Sequence, residues 1–300
     1  MKIFVFIAFL FILDLYFYLG TSSVINKFFS NEFLYKIFYW IISIIVYSGI
    51  IYIALNYNDK TPSVRFNNNI IYTSFFFILF CSKFIGSLPL LIDDILRFFK
   101  YIYNFFSPSS NVHDITRLDF LRKSAIVFSG ALFSTLLFGM KWGRYNFKKN
   151  YKDIIIDSWS KELDNYKIIH ISDLHLGSFN SINKLEDVVE MINQEDADIV
   201  VFTGDLVNNY YHEALPYVDI LSKIKAKDGK FSVLGNHDYC DYVMLKRNSL
   251  AWKNNFKNLL ELEKKAGFDL LLNESREIII KNKKFNVVGV ENWGAGNFNK

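Results

Sequence analysis

Cysteine is scarce in this 300-residue sequence, and the two thiols that it has, Cys81 and Cys240, lie far apart. Two distant cysteines provide neither a disulfide framework nor the closely spaced thiols of a zinc knuckle. The sequence therefore predicts a fold that does not depend on disulfides. Any metal site in it is expected to use carboxylates, imidazoles and amides.

A strong excess of one charge is also missing. The formal net charge is +4, from 34 Lys and Arg against 30 Asp and Glu, and the basic residues are spread over loops. The aromatic residues lie in apolar blocks and are not interleaved with basic ones, as a nucleic-acid surface would have them. We therefore expect no nucleic acid as a partner.

Charged residues are nearly absent from long stretches of the first half. Residues 33–55 and 70–92 each contain a single lysine, and each is long enough to cross about 30 Å of hydrocarbon as a helix. Residues 3–20 are apolar apart from Asp14. No small-residue cleavage site follows them, so they are predicted to be an uncleaved anchor. Asp14 is either functional or snorkels to the membrane surface.

A fourth apolar segment, residues 125–140, has sixteen residues and is short for a span. Its alternative is a buried or interfacial helix. We predict a transmembrane region over residues 1–145, with spans at about 3–20, 33–55, 70–92 and 125–140. A soluble domain is predicted over residues 150–300, where charged residues recur every few positions.

The orientation in the membrane is not decided by Lys and Arg, because both flanks of the fourth segment carry several. The stretch TRLDFLRK, residues 116–123, resembles a degenerate twin-arginine export signal with Leu118 at the place of the second arginine. We therefore expect an integral, multi-pass membrane protein whose soluble domain lies on the non-cytoplasmic face.

The second half alternates short β-branched runs with amphipathic stretches. Strands are predicted at 153–159, 167–172, 197–204 and 230–235, followed by three more near the end of the chain. Helices are predicted after Ser181, over 213–225 and over 250–266. This order implies βαβ crossovers and an α/β domain whose sheet is covered by helices. In such sheets, ligands bind at the carboxyl ends of the strands.

Polar clusters follow three of these strands. Neighbouring parallel strands are about 4.8 Å apart, so the clusters can meet in one small volume. Carboxylates, imidazoles and amides suit hard or borderline divalent ions such as Mn, Fe, Mg or Zn. The clusters contain Asp173 and His175, then Asp205, then Asn236, His237 and Asp238.

Read together, HISDLHLG, FTGDLVNN and VLGNHDY resemble the calcineurin-like metallophosphoesterase superfamily. Its blocks are D-x-H, G-D and G-N-H-D/E, in this order and each after a strand. The resemblance covers roughly residues 163–294, and membrane-anchored members with several amino-terminal spans are the nearest likeness. It implies a membrane-anchored, metal-dependent phosphoesterase that hydrolyses a phosphate mono- or diester or a pyrophosphate. Anchoring suggests a lipid-linked substrate.

The resemblance also implies a role for each residue. Asp173 and His175 are expected to bind a first divalent ion, and Asp205 to bridge it to a second. Asn236 is expected to bind the second ion and the substrate phosphate. Both ions would be Mn, Fe, Zn or Mg, with their identity open.

The same resemblance assigns the catalytic group. His237 is expected to stabilise the transferring phosphoryl group or to protonate the leaving oxygen, and Asp238 to orient its imidazole.

Histidine is missing after His237, and this departs from the family pattern. The later family blocks supply one further histidine and two more in a GHxH motif. We therefore expect a truncated domain, either a piece of a longer protein or a natural short product, that binds metal weakly on its own. The alternative function is a non-catalytic membrane protein whose remnant domain binds a partner or a single metal ion.

Overall fold

The computed structural model describes residues 2–27, 31–55, 62–106, 115–243 and 245–293. The chain divides into two compact units. The first comprises Met1–Tyr57 and Asn69–Asn146, and the second comprises Asn58–Asn68 and Phe147–Lys300. Each unit is described by itself.

Four long helices dominate the first unit: α1 (Lys2–Ile25), α2 (Glu32–Leu55), α3 (Pro62–Phe106) and α4 (Ile115–Lys141). Each is long and apolar enough to span a membrane. Large apolar side chains such as Phe33, Ile44, Phe99 and Phe128 point outward along them, as lipid contact requires. The predicted helical membrane region is confirmed, and residues 116–123 and 125–140 both lie within the single helix α4.

Asp14 is 2% exposed and forms an ion pair inside this unit. Its Oδ1 lies 2.7 Å from Nζ of Lys83 on α3. The same ammonium donates to Oγ of Ser43 on α2 at 3.0 Å and lies over the ring of Tyr39. The Tyr39 hydroxyl donates to the backbone carbonyl of Asp14 at 3.0 Å. Snorkelling of Asp14 is therefore wrong, because the carboxylate is held between three helices.

The second unit contains a four-stranded parallel sheet and a hairpin. The sheet strands are β1 (Ile168–Ile171), β2 (Ile199–Phe202), β3 (Gly229–Ser232) and β4 (Asp269–Leu270), in the order β1-β2-β3-β4. The antiparallel hairpin pairs β5 (Glu274–Ile280) with β6 (Lys283–Gly289). Helices α5 (Ile182–Asn193), α6 (Val218–Leu221) and α7 (Leu250–Lys265) lie in the connections between the parallel strands.

The sheet has a different cover on each face. Leu185, Val200 and Leu259 belong to one buried cluster that joins α5, β2 and α7. On the opposite face, Ile199 and Phe231 pack in a cluster with Ile278 of the hairpin. The predicted α/β class after a helical membrane region is confirmed, and helices cover one face of the sheet while the hairpin covers the other.

Two predicted elements are wrong. Among the described residues no strand pairs with 153–159, and Ile154 and Ile155 are 73% and 89% exposed. The helix predicted over 213–225 is replaced by two single 3-10 turns and the four-residue α6. Pro216 lies in the second turn, where its ring and its missing N–H prevent a continuous α-helix.

Candidate metal centre

The loops after β1 and β2 run side by side beyond the ends of their strands. Thr203 N donates to Ile171 O at 3.0 Å, Asp173 N to Gly204 O at 3.0 Å, and His175 N to Asp205 O at 2.9 Å. These bonds continue the contact between neighbouring strands into the polar loops. They bring the D-x-H and G-D segments together at the carboxyl end of the sheet.

The backbone at this edge is unusual. Asp173, His175 and Asp205 have φ values of 55°, 43° and 58°, a left-handed region that non-glycine residues rarely adopt. Gly204 has φ 92°, and a Cβ there would lie 2.0 Å from the backbone N of Gly235. A Cβ on Gly235 would lie 2.1 Å from Asp205 Oδ1. Both glycines are required for the β2 and β3 loops to pack this closely.

Four side chains converge at this edge. His175 Nε2 lies 3.6 Å from Asp205 Oδ2 and 3.8 Å from Asp173 Oδ1. The rings of His175 and His237 are nearly perpendicular, with centroids 4.6 Å apart. One ligand atom each from His175, Asp205 and His237 lie within 4.8 Å of one another. The structure therefore brings four of the six predicted residues around one small volume.

This donor set fits a divalent cation. Ligands bound at 2.0–2.2 Å in a tetrahedral site are separated by about 3.3 to 3.6 Å, close to the distances between His175 and the two aspartates. The side chain of Asp205 is only 10% exposed, and among the described residues no Lys or Arg forms an ion pair with its carboxylate. The residues thus fit one ion. The presence of a second ion and the identity of either stay predictions.

Asn236 lies on the wall of the same depression. An open cleft of about 470 Å³ is lined by Asp173, Asp205 and Asn236, with Glu291 and Trp293 also along it. The amide Nδ2 of Asn236 donates to the hydroxyl of Tyr242, so the opposite atom of the amide, Oδ1, is the candidate ligand.

His237 is fixed through both its backbone and its ring. Its N–H donates to Asp205 Oδ1 at 3.0 Å, and its Nδ1 lies 2.7 Å from the carbonyl oxygen of Asn208. The ring of Tyr242 stacks on the imidazole, with centroids 4.3 Å apart. Because a carbonyl oxygen only accepts, Nδ1 carries the proton. Nε2 is then the nitrogen available for chemistry.

Asp238 does not have the place expected for it. The residue is fully buried, and its oxygens accept backbone N–H groups from Asp205 at 2.7 Å, Leu206 at 2.9 Å, Val207 at 3.3 Å and Gly235 at 2.9 Å. It ties the β2 loop to the β3 loop, whereas a backbone carbonyl orients the imidazole. Burial raises the pKa of Asp238 to about 7, although the N–H donors lower it.

Glu213 is a residue of the site that sequence reasoning missed. It is 8% exposed, and its carboxylate accepts the backbone N–H groups of Asn208 at 2.6 Å, Asn209 at 3.3 Å and Tyr210 at 3.2 Å. An acidic residue three positions after a turn begins is a capping signal that could have identified it. Tyr242, which was also missed, has no comparable signal.

Two further groups near the cleft are structural. The oxygens of Glu291 accept from the Tyr239 hydroxyl at 2.9 Å and from Asn273 Nδ2 at 2.8 Å. Burial raises the pKa of the Cys240 thiol to about 12, so this cysteine is inert.

Comparison with known families gives two adjacent matches. Residues 1–144 match a family described as the transmembrane domain of a probable calcineurin-like phosphoesterase. Residues 166–299 match the calcineurin-like phosphoesterase family. The motifs read from the sequence and the loops that form the site lie within the second match.

Similar proteins come from bacteria and from a vertebrate. The metallophosphoesterase YkuE of Bacillus subtilis is 34% identical over 97 residues, 31% of this chain and 33% of its own length. A Helicobacter pylori metallophosphoesterase is 33% identical over 135 residues, 42% of this chain and 36% of its own length. A zebrafish transmembrane protein with a metallophosphoesterase domain is 30% identical over 87 residues, 29% of this chain and 20% of its own length.

The chain thus spans about a third of the length of the two bacterial relatives. No solved structure matches it.

Proposed function

Because residues 166–299 belong to the calcineurin-like phosphoesterase family, we propose that this membrane protein hydrolyses a phosphate mono- or diester, or a pyrophosphate, at the edge formed by the β1, β2 and β3 loops. The observation that carries the proposal is the convergence of His175, Asp205 and His237, with ligand atoms within 4.8 Å of one another. The three residues come from three separate motifs, and the folded backbone unites them.

The protein's own residues have distinct tasks in this reaction. Asp173, His175 and Asp205 would hold the metal, and the Asn236 amide oxygen would extend the site toward the substrate phosphate. Bound divalent ions supply a water of lowered pKa and neutralise phosphate oxygens. His237, held at Nδ1, would present Nε2 to the leaving oxygen and give it a proton. Asp238 keeps the two loops that carry these groups in register.

The substrate is proposed to be lipid-linked, with the domain on the non-cytoplasmic face. The support for a lipid-linked substrate is location, because four helices of the chain are apolar and long enough to span a bilayer. A domain tethered there meets membrane-bound phosphoesters at high local concentration. The open cleft of about 470 Å³ can admit a phosphate headgroup from one side.

A second candidate function is a site that binds one metal ion and does not catalyse hydrolysis. The same three-donor group favours it, because His237 would then be a third ligand of the ion and would not transfer a proton. The two candidates differ in what the removal of His237 does to metal affinity.

The test uses the whole chain in lipid nanodiscs with Mn²⁺ and a chromogenic phosphodiester. We expect Asp205→Ala and His237→Ala to lower the hydrolysis rate at least about 100-fold, in the range of a lost general acid. The matched control is Asp219→Ala, which removes an exposed carboxylate on α6 and should leave the rate unchanged.

Calorimetric Mn²⁺ titration of the same proteins separates the two candidates. If all four proteins hydrolyse the diester only at the background rate, and both site variants lose Mn²⁺ affinity, the protein is a single-ion site and not a hydrolase. Equal background rates without Mn²⁺ binding would reject both.

A further inference from the structure

We propose that Glu213 is a positioning residue for His237: its carboxylate fixes the peptide whose carbonyl, that of Asn208, holds the imidazole. This inference rests on the proposed function, in which His237 acts on the leaving oxygen. Glu213 touches neither the cleft nor a metal donor by its own polar contacts. It acts through the backbone of residues 208–210.

The first step concerns the imidazole. Nδ1 of His237 lies 2.7 Å from the carbonyl oxygen of Asn208, so this nitrogen keeps its proton in both the neutral and the charged ring. Nε2 is then the nitrogen left for proton transfer. The direction of the Asn208 carbonyl therefore sets which nitrogen of His237 can exchange a proton with the substrate.

The second step concerns the direction of that carbonyl. The C=O of Asn208 and the N–H of Asn209 belong to one peptide unit, and in a planar trans peptide they point in opposite directions. Oε2 of Glu213 accepts this N–H at 3.3 Å and that of Asn208 at 2.6 Å. Holding the N–H on the Glu213 side turns the carbonyl to the opposite side, where it meets His237.

The third step concerns the rest of the loop. Asn255 on α7 accepts the N–H of Tyr211 at 3.0 Å and donates to the carbonyl of Asn209 at 3.3 Å. The side chain of Asn208 donates to Ser178 Oγ at 3.0 Å. The side chain of Asn208 is thus occupied elsewhere, and only its backbone serves His237.

Charge adds to the geometry. Glu213 is 8% exposed, and burial raises its pKa, whereas the three N–H donors and the nearby His237 lower it. A glutamine at this position would face part of the same N–H cluster with an NH₂ group, which cannot accept a hydrogen bond.

The experiment compares the whole chain carrying Glu213→Gln with Glu186→Gln, the same substitution at an exposed position of α5. We expect kcat per folded molecule to fall by about 10- to 100-fold in Glu213→Gln, with KM changed by less than about 3-fold, because a misaligned proton donor affects the chemical step. Glu186→Gln should match the wild type. A purely structural role would lower the folded fraction and leave kcat per folded molecule intact.

A second readout is independent of turnover. Nitrogen NMR of ¹⁵N-histidine-labelled protein at alkaline pH should show His237 protonated at Nδ1 in the wild type, and a mixture of tautomers in Glu213→Gln. An inactive wild type with this tautomer would reject the proposed hydrolysis and leave the positioning role standing. An unchanged tautomer in Glu213→Gln would overturn the inference.

Asn208→Ala tests separately whether the backbone carbonyl of Asn208 holds the ring. It retains the backbone carbonyl, so the Nδ1 tautomer of His237 should persist. Loss of that tautomer would show that the side chain of Asn208, and not the carbonyl positioned by Glu213, holds the ring.

Discussion

Buried carboxylates in the second unit differ in how many backbone N–H groups donate hydrogen bonds to them. Asp238 and Glu213 each accept several backbone N–H groups, which can stabilise a negative charge. Glu263 on α7 is 1% exposed, and its described partner is the hydroxyl of Ser232. Burial raises the pKa of Glu263 to about 8. This side chain is therefore protonated at neutral pH in the folded protein.

Stability should consequently fall as pH rises. The folded pKa of Glu263, about 8, lies above the ordinary value of 4.5, so between these values the folded state holds a proton that the unfolded state has lost. The contribution of this proton to the free energy of unfolding is intact below pH 4.5. Between pH 4.5 and pH 8 it falls by up to about 1.4 kcal/mol per pH unit. Glu263→Gln has no such proton and should be more stable than the wild type above pH 8.

Hydrogen exchange of the slowest amides of β2, compared between proteins at each pH, measures this difference. Glu261→Gln, an exposed change two residues away on α7, is the control and should follow the wild type. Parallel curves for Glu263→Gln and the wild type would contradict the prediction.

At the scale of elements, the sequence predicts most of what builds the site. The runs that became β1 and β2 are rich in Ile and Val, and β3 leads into the apolar pair Val233 and Leu234. Gly, Asx or His follows each run within a few residues, so strand ends and polar loops could be located together. Parallel order then brings Asp173, His175 and Asp205 to one edge. The positions of the strand ends and of the polar residues after them can thus be predicted from the hydrophobic pattern and the turn residues of each short segment.

The rest depends on tertiary contacts that a pattern does not encode. The run 153–159 has strand composition, but a strand also needs a hydrogen-bonded neighbour. The role of Asp238 depended on which way its side chain points from a 3-10 turn, where adjacent residues face different directions. A capping pattern could have located Glu213 at a turn, but its link to His237 runs through the backbone of Asn208, which carries no residue-specific signal.

The ion pair between Asp14 of α1 and Lys83 of α3 predicts a coupling between these helices. Both partners are largely buried, and Asp14→Asn or Lys83→Met leaves one charge unpaired, which costs about 3 to 5 kcal/mol for buried pairs. We expect both single variants to unfold at clearly lower temperature in nanodiscs. Asp14→Asn combined with Lys83→Met removes both charges and should recover most of the loss.

Lys36→Met is the control, because this lysine of α2 is exposed. Tryptophan fluorescence during heating reports on both units, because Trp40 and Trp142 lie in the first and Trp159, Trp252 and Trp293 lie in the second. The transition that moves in Asp14→Asn and Lys83→Met, and not in Lys36→Met, is therefore that of the first unit. Additive losses in the double variant would show that the two charges are not coupled.

At the scale of the whole molecule, the side of the membrane on which the second unit lies determines which leaflet supplies the proposed lipid-linked substrate. We propose the non-cytoplasmic side. Lys284 on β6 has a side chain that is 61% exposed, so a cysteine there is accessible to reagents in the surrounding solution. The native Cys240 is buried and Cys81 lies within the candidate span Tyr72–Phe106, so background labelling is expected to be low.

A membrane-impermeant maleimide should label Lys284→Cys in intact cells, and the yield should not rise when the cells are permeabilised. The unsubstituted protein measures background, and a soluble cytoplasmic protein with an exposed cysteine reports on leakage. Labelling that requires permeabilisation would place the second unit in the cytoplasm. The metal site would then act on phosphoesters of the inner leaflet, and the lipid substrates to be tested would change with it.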